Sequence, residues 1–153
     1  MKIAYISGPF VGDGTKESIK KNIEKAREYA NALASKRVGV FCSHIHDLDP
    51  TIQDLTERQR YFYELDSEFL IKSDAVVFIP GWEDSFGGRL EKKIADELGL
   101  PQFFPKSPEN TTEIEKWYFQ EESKEDVKKS VNWDNVIDIR RAMSKYIFNK
   151  ATG

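Results

Sequence analysis

The chain has 153 residues, of which 39% are hydrophobic and 32% charged, and its net charge is -3. That length and balance describe one folded domain with its own core and exclude a disordered chain. The acidic balance argues against binding a nucleic-acid polymer, which needs a basic surface.

"KIAYIS" reads as a first buried strand, followed by the glycine-rich turn "GPFVGDGT". The leading "MKIAYISGPF" is too short for a signal peptide and runs straight into that turn. A helix is expected from Ser18 to about Ser35, because Ile19, Ile23, Ala26, Ala30, Leu33 and Ala34 share one face. "RVGVFCSH" is a second strand; its Cys42 is the only cysteine, so no internal disulfide forms, which fits a reducing cytoplasm. "DLDPTIQD" is a polar loop broken by Pro50, and Thr56 is placed to cap a helix running to about Lys72. "DAVVFIP" is continuously apolar, as a strand buried on both faces should be. The next helix ends at Gly99, and "PQFF" is a short fourth strand.

Beyond Pro105 the pattern weakens. "EKWYFQ" suits either a fifth strand or the start of a helix, and "WDNVIDIRRAMSKYIFNK" a final helix. Trp117, Tyr118 and Phe119 suit core or a subunit interface, and "EESKEDVKK" a solvated face. No window approaches the roughly 18 apolar residues of a membrane span, so no membrane partner is expected. Strands alternating with helices predict a parallel, helix-covered sheet of four to five strands, in a single flavodoxin-like (Rossmann-like) α/β domain. Residues 1–153 form that domain, with 105–153 as a C-terminal extension that no motif covers.

Two carboxylates break the helical pattern. With Leu90 at zero and about 100° per residue, Ile94, Leu98 and Ala95 fall at about 40°, 80° and 140°, and Glu91 at about 100°, inside that arc. In the preceding helix, with Tyr61 at zero, Leu65, Phe69, Phe62 and Leu70 fall between about 40° and 180°, with Asp66 among them and Ser67 on the other side. A carboxylate on a core face is costly unless paired or working, and two of them on helices flanking one strand point to a site. In such sheets ligands bind beyond the carboxyl ends of the strands. Tyr5, Ser7 and Gly8 end the first strand, and residues 80–88 follow the third. There the "SFGG" turn opens a helix whose free amides favour an anion. Paired carboxylates beside such a pocket suit chemistry at an anomeric carbon.

Three segments carry a resemblance. "YISGPF", "DSEFLIKSDAVV" and "SFGGRLEKKIADELG" together resemble the nucleoside 2-deoxyribosyltransferase superfamily, which includes the 2'-deoxynucleoside 5'-monophosphate N-hydrolases. The chain looks closest to a branch of small bacterial and phage proteins with a "PGWE-S-G---E" signature, and the likeness spans residues 2 to about 104. The resemblance implies that Glu91 attacks C1' and displaces the base. Asp66, eight residues before Asp74, would assist proton transfer or orient the base. Tyr5 would hold Glu91 or crowd the sugar's 2' position. It implies a substrate pocket from Ser7, Gly8, Pro9, Phe10, Ser85, Gly87 and Gly88. It also implies a small-molecule nucleoside or nucleotide as partner, a homo-oligomer, and no metal or cofactor.

The acceptor and the 5' group are read from two positions. Six residues before the nucleophile, the transferases carry Asp and the nucleotide hydrolases Ser; here it is Ser85. The hydrolases also carry Ser and Arg after the first-strand Gly; here that segment is Gly8-Pro9-Phe10-Val11, closer to the transferases. Lys16 and Arg89 are candidate cations for a phosphate, and Asp84 opposes one.

Other constellations compete. Trp82 either stacks on a nucleobase or covers the sheet edge. His44 and His46, with Asp47 and Asp49, offer a metal-hydrolase alternative, without a third His to complete the set. "GPFVGDGTKES" matches a P-loop in composition only. A nucleotide-binding module that has lost its chemistry is the remaining alternative.

Overall fold

The computed structural model describes residues 1–45, 48–120 and 131–152, with side chains as far as residue 145. Four parallel strands, β1 (Ala4–Ser7), β2 (Val40–Cys42), β3 (Ala75–Phe78) and β4 (Gln102–Phe103), lie in the order β2-β1-β3-β4. Five helices flank them: α1 (Lys16–Ser35), α2 (Leu55–Lys72), α3 (Phe86–Leu98), α4 (Thr112–Phe119) and α5 (Trp133–Thr152). This is the flavodoxin-like order.

Every residue of β1 and β3 is buried, so their side chains alternate between two cores. Ala4, Ile6, Val77 and Ile79 pack with Ala26, Ala30 and Leu33 of α1 and with Ile114 and Trp117 of α4. Tyr5, Val76 and Phe78 pack on the other face with Leu70 of α2, Leu90, Ile94 and Leu98 of α3, and Val136 and Met143 of α5. The helices beyond residue 104 thus help close both faces of the sheet.

Besides β2, which ends at Cys42 so that Ser43 and His44 lie in a short 3-10 turn (Ser43–Ile45), the elements differ from expectation in four places. First, α1 begins at Lys16, two residues early, because the Thr15 side chain accepts the Ser18 amide and caps it. Second, α2 is capped by Asp54, which accepts the Glu57 amide, and not by Thr56, which lies inside the helix. Third, "EKWYFQ" belongs to α4 and not to a fifth strand. Lys2 Nζ donates to the Trp117 and Gln120 carbonyls at 2.8 and 2.9 Å, holding a cation at that helix's C-terminus. Trp117 is core, as one reading had it, whereas Phe119 is 61% exposed.

The fourth difference concerns the buried face of α2. Leu70 is fully buried as expected, but so is Ser67, expected on the other side, whereas Tyr61 and Phe69, expected inside, are each more than a third exposed. The cause is α5, which packs across α2 and α3 and pairs Arg140 with Glu68 at 2.7 Å. A helix covered from two sides buries an arc that its own sequence does not announce. The segment "EESKEDVKK" lies outside the described residues. Among the described residues no helix is long and apolar enough to cross a membrane.

Candidate active site

Tyr5 and Ser7 are two apart on β1 and therefore project from the same face of the sheet. That face is covered by α3, where Glu91 follows Leu90 and stands one turn before the fully buried Ala95. The Tyr5 hydroxyl donates to Glu91 Oε1 at 2.7 Å, and the Ser7 hydroxyl donates to Glu91 Oε2. Both carboxylate oxygens are thus held by side chains of one strand.

Asp66 reaches the same place from α2, and its charge acts on both Glu91 and Tyr5. Burial pushes the Glu91 carboxyl up to about 7, against the lowering effect of the Ser7 and Tyr5 hydrogen bonds, and the Asp66 charge adds to the rise. Burial pushes Asp66 up to about 7 as well. Both residues keep part of their surface accessible. The Tyr5 phenol is held well above its ordinary range, first by burial and then by the Glu91 and Asp66 charges. It therefore stays a proton donor at neutral pH. An aromatic wall stands beside the pair: Tyr5 stacks on Phe41 at 5.8 Å, and Phe41 on Phe69 at 4.0 Å.

Position in the sheet matches the expectation from topology. β1 lies between β2 and β3, and the connections from β1 and β3 leave to opposite faces, which opens a crevice at their carboxyl ends. Gly8 and Pro9 line its β1 side. A Cβ on Gly8 would stand 2.3 Å from Ile79 Cγ1, so only glycine lets β1 leave the sheet so close to β3. The loop is then pinned from below: His44 Nε2 donates to the Pro9 carbonyl at 3.0 Å, and Asn22 Nδ2 to the Phe10 carbonyl at 3.0 Å. Phe10 itself is 44% exposed at the rim, edge-on to His44.

On the β3 side, Gly81 adopts a φ of 96°, and a short 3-10 turn (Trp82–Asp84) leads into α3. Ser85 caps α3 by accepting the Gly88 amide at 3.2 Å, so part of its hydroxyl's capacity is used within the helix. Trp82 packs against Phe78 at 5.1 Å and Phe104 at 5.8 Å, in the manner of a sheet-edge cover. Arg89 donates to the Glu83 carbonyl at 2.8 Å. Lys16 opens α1, whose core face packs on the opposite side of the sheet from Glu91.

Close approach requires glycine at position 88 and leaves little room at position 87. A Cβ on Gly87 would meet the Tyr63 ring at 3.2 Å, and one on Gly88 would meet the Trp82 carbonyl oxygen at 2.7 Å. The Gly88→Ala variant gains helix propensity of about 1 kcal/mol but incurs an overpacking cost of about 1–3 kcal/mol against backbone. The expected result is a net loss of up to about 2 kcal/mol, read as a lower urea midpoint. An unchanged midpoint would show that the turn and α3 move apart freely.

Sequence reasoning brought Glu91, Asp66, Tyr5 and Ser7 to one place, and the structure places them together. It missed Ser43, whose side chain works against the rise of the Tyr5 phenol, and Lys25, which ties the Pro80 carbonyl at 2.8 Å. Neither has a local signal, because each acts across the fold. His44 serves as a strut: burial lowers its pKa, which keeps it neutral. Its Nε2 is engaged by Pro9 and its Nδ1 faces Cys42 Sγ at 3.9 Å. Burial holds the Cys42 thiol up at about 11, far from a reactive thiolate. Among the described residues no group of three or more His, Cys, Asp or Glu is arranged to hold a metal; His46 and Asp47 lie outside them.

Residues 1–104 match the family described as a domain of unknown function (DUF4406), and the chain belongs to that family. The match includes the whole site. No curated protein matches the sequence.

Proposed function

We propose that this member of the DUF4406 family cleaves or transfers at the N-glycosidic bond of a ribo- or 2'-deoxyribonucleoside, or of a nucleoside 5'-monophosphate, through a covalent glycosyl–Glu91 intermediate. The observation that carries the reading is Glu91 itself: a desolvated carboxylate gripped by Tyr5 and Ser7, beside the second carboxylate Asp66, at the crevice where ligands bind in this fold.

The chemistry follows from the two acids. A Glu91 oxygen forms a bond to C1' as the C1'–N bond breaks, and the electron pair leaves with the base. Asp66, held protonated to about pH 7, supplies the proton the base needs. In the second step water, or a second base, attacks C1'. The ester C1'–O bond breaks, its pair returns to Glu91, and the attacker's proton goes to Asp66. No redox partner is required. Tyr5 keeps its proton through both steps and orients Glu91.

The 5' group is left to the N-terminus of α3, where Ser85 retains a hydroxyl proton to donate while Asp84 disfavours a dianion. The same reading places the protein in a reducing cytoplasm, with Cys42 buried and free. It also places it in a homo-oligomer, supported by exposed Leu48, Leu55 and Tyr61 near the start of α2.

Both Glu91 oxygens accept hydrogen bonds, an arrangement that also suits a pocket that binds without turnover. Chromatography of free base from a panel of deoxynucleosides, their monophosphates and ribonucleotides separates the readings. Base released in water from monophosphates indicates an N-hydrolase. Exchange only with an added base indicates a transferase. Binding without release on every substrate would leave the binding module.

A further inference from the structure

Ser7 has the wrong environment for a substrate contact. It is 1% exposed, in the middle of the sheet, at the last position of β1. A buried hydroxyl costs free energy unless it is hydrogen-bonded, and the partner of this one is a carboxylate oxygen of Glu91. Alanine would fill the same strand position with no such demand. The hydroxyl is therefore explained by what it does to Glu91.

We propose that Ser7 is a positioning residue acting through Glu91: its hydroxyl keeps a buried carboxylate ionised and makes it a good leaving group when the glycosyl ester breaks. The second half of this rests on the function proposed above; the first half does not.

The argument is one of charge. When Glu91 bonds to C1', its negative charge is spent and the Ser7 hydrogen bond falls from charge-assisted to ordinary strength. When the ester breaks, the electron pair returns to Glu91 and the bond regains its strength. A donor on this carboxylate therefore opposes the first step and favours the second. Tyr5 does the same at Oε1. Two donors on one nucleophile bias the enzyme toward release of the sugar, which is what a hydrolase or a transferase with a fleeting intermediate needs. The groups acting on Glu91 among the described residues are Tyr5 and Ser7 from β1 and Asp66 from α2. With no cation among them, the hydroxyls are what holds the ionised form.

The first test needs no substrate. Infrared titration of the protein labelled with 13C-carboxylate Glu, with Glu91→Gln subtracted to isolate one band, reads the Glu91 midpoint directly. Ser7→Ala is expected to raise that midpoint by about one pH unit, the loss of one hydrogen bond to a charged group. Ser7→Cys, close in size and a weaker donor, should fall between, and it serves alone if the alanine variant does not fold. An unchanged midpoint in a folded variant overturns the proposal.

The second test is the mass of the intact protein after mixing with the substrates above. The Ser7→Ala adduct on Glu91 is expected to persist about tenfold longer than the parent adduct. Equal lifetimes remove the leaving-group role. If the parent protein releases no base from any substrate, the proposed function fails while the titration still decides whether Ser7 controls Glu91.

Discussion

Glu91→Gln is expected to lower base release by on the order of 10³-fold or more, while leaving the fold and substrate affinity intact. Glutamine has the same shape and keeps one oxygen to accept from Tyr5 or Ser7, so the sheet and α3 have no cause to move. What it lacks is a nucleophile: an amide oxygen does not form a stable ester with C1'. Removing an attacking group removes the covalent path entirely, and the remaining rate comes from binding and from Asp66 as acid. The comparison with Asp66→Asn sharpens this. That variant should retain the covalent step for substrates whose base leaves without help and lose it for those that need a proton. Single-turnover rates for both variants, with ligand affinity measured alongside, check the expectation. A Glu91→Gln protein that releases base at the parent rate would sink Glu91 as nucleophile. One that binds as the parent does, where the parent itself turns nothing over, would establish a binding module.

The parts of this site that could be read from the sequence are those that local geometry controls. Glu91 stood out because α3 is a single amphipathic helix with one buried face, so a carboxylate inside the arc of Leu90, Ile94 and Leu98 is conspicuous. Tyr5 and Ser7 were legible as the end of a buried strand. Asp66 was found with the wrong neighbours. Of the arc expected around it, Leu70 is buried, but Tyr61 and Phe69 lie largely at the surface and Ser67, expected outside, is buried. The buried arc is set by α5, more than sixty residues away in the chain, and no periodicity within α2 contains it. Asp66 survived because it lies between the two arcs. "EKWYFQ" was ambiguous because a short apolar run fits a strand or a helix equally; in the fold Ile114 and Trp117 pack into the core, and Lys2 at the other end of the chain ties the helix's C-terminus. The role of Ser7 was invisible for a related reason. The sequence places its hydroxyl at the site, but only the packing of α3 on β1 shows that the hydroxyl reaches Glu91.

The carboxylate pair should also make the fold less stable as pH rises from 5 to 8. Glu91 and Asp66 titrate near the ordinary carboxylate range when unfolded, and near 7 when folded. Between those values the folded state holds protons that the unfolded state has released, so stability falls with pH. The contribution is fully present below about pH 4 and gone above the folded values. At about 1.4 kcal/mol per pH unit, and allowing for coupling and partial exposure, the loss for the pair is about 3–5 kcal/mol, on the order of 10 °C in Tm. Asp13 and Asp96 run the other way. Hydrogen bonds from Thr15 lower Asp13, and those from Gln102 and Lys92 lower Asp96 despite the opposing effect of burial. Their contributions are lost only as pH falls through the acid range. His44 does overlap with the pair: burial lowers its pKa, so its contribution is present above the ordinary imidazole range and is lost as pH falls through its folded value, opposing part of the pair's slope. The Glu91→Gln, Asp66→Asn double variant is therefore expected to be more stable than the parent at pH 8 and to lose the fall in stability between pH 5 and 8, leaving the rise that His44 contributes, a comparison made by urea denaturation at each pH. The same window sets the rate. Attack needs Glu91 ionised and protonation of the base needs Asp66 protonated, so base release should peak near pH 7, with both limbs belonging to the pair. A double variant whose pH dependence from 5 to 8 equals the parent's would mean that both carboxylates ionise as they do in water, and neither would then be poised for this chemistry.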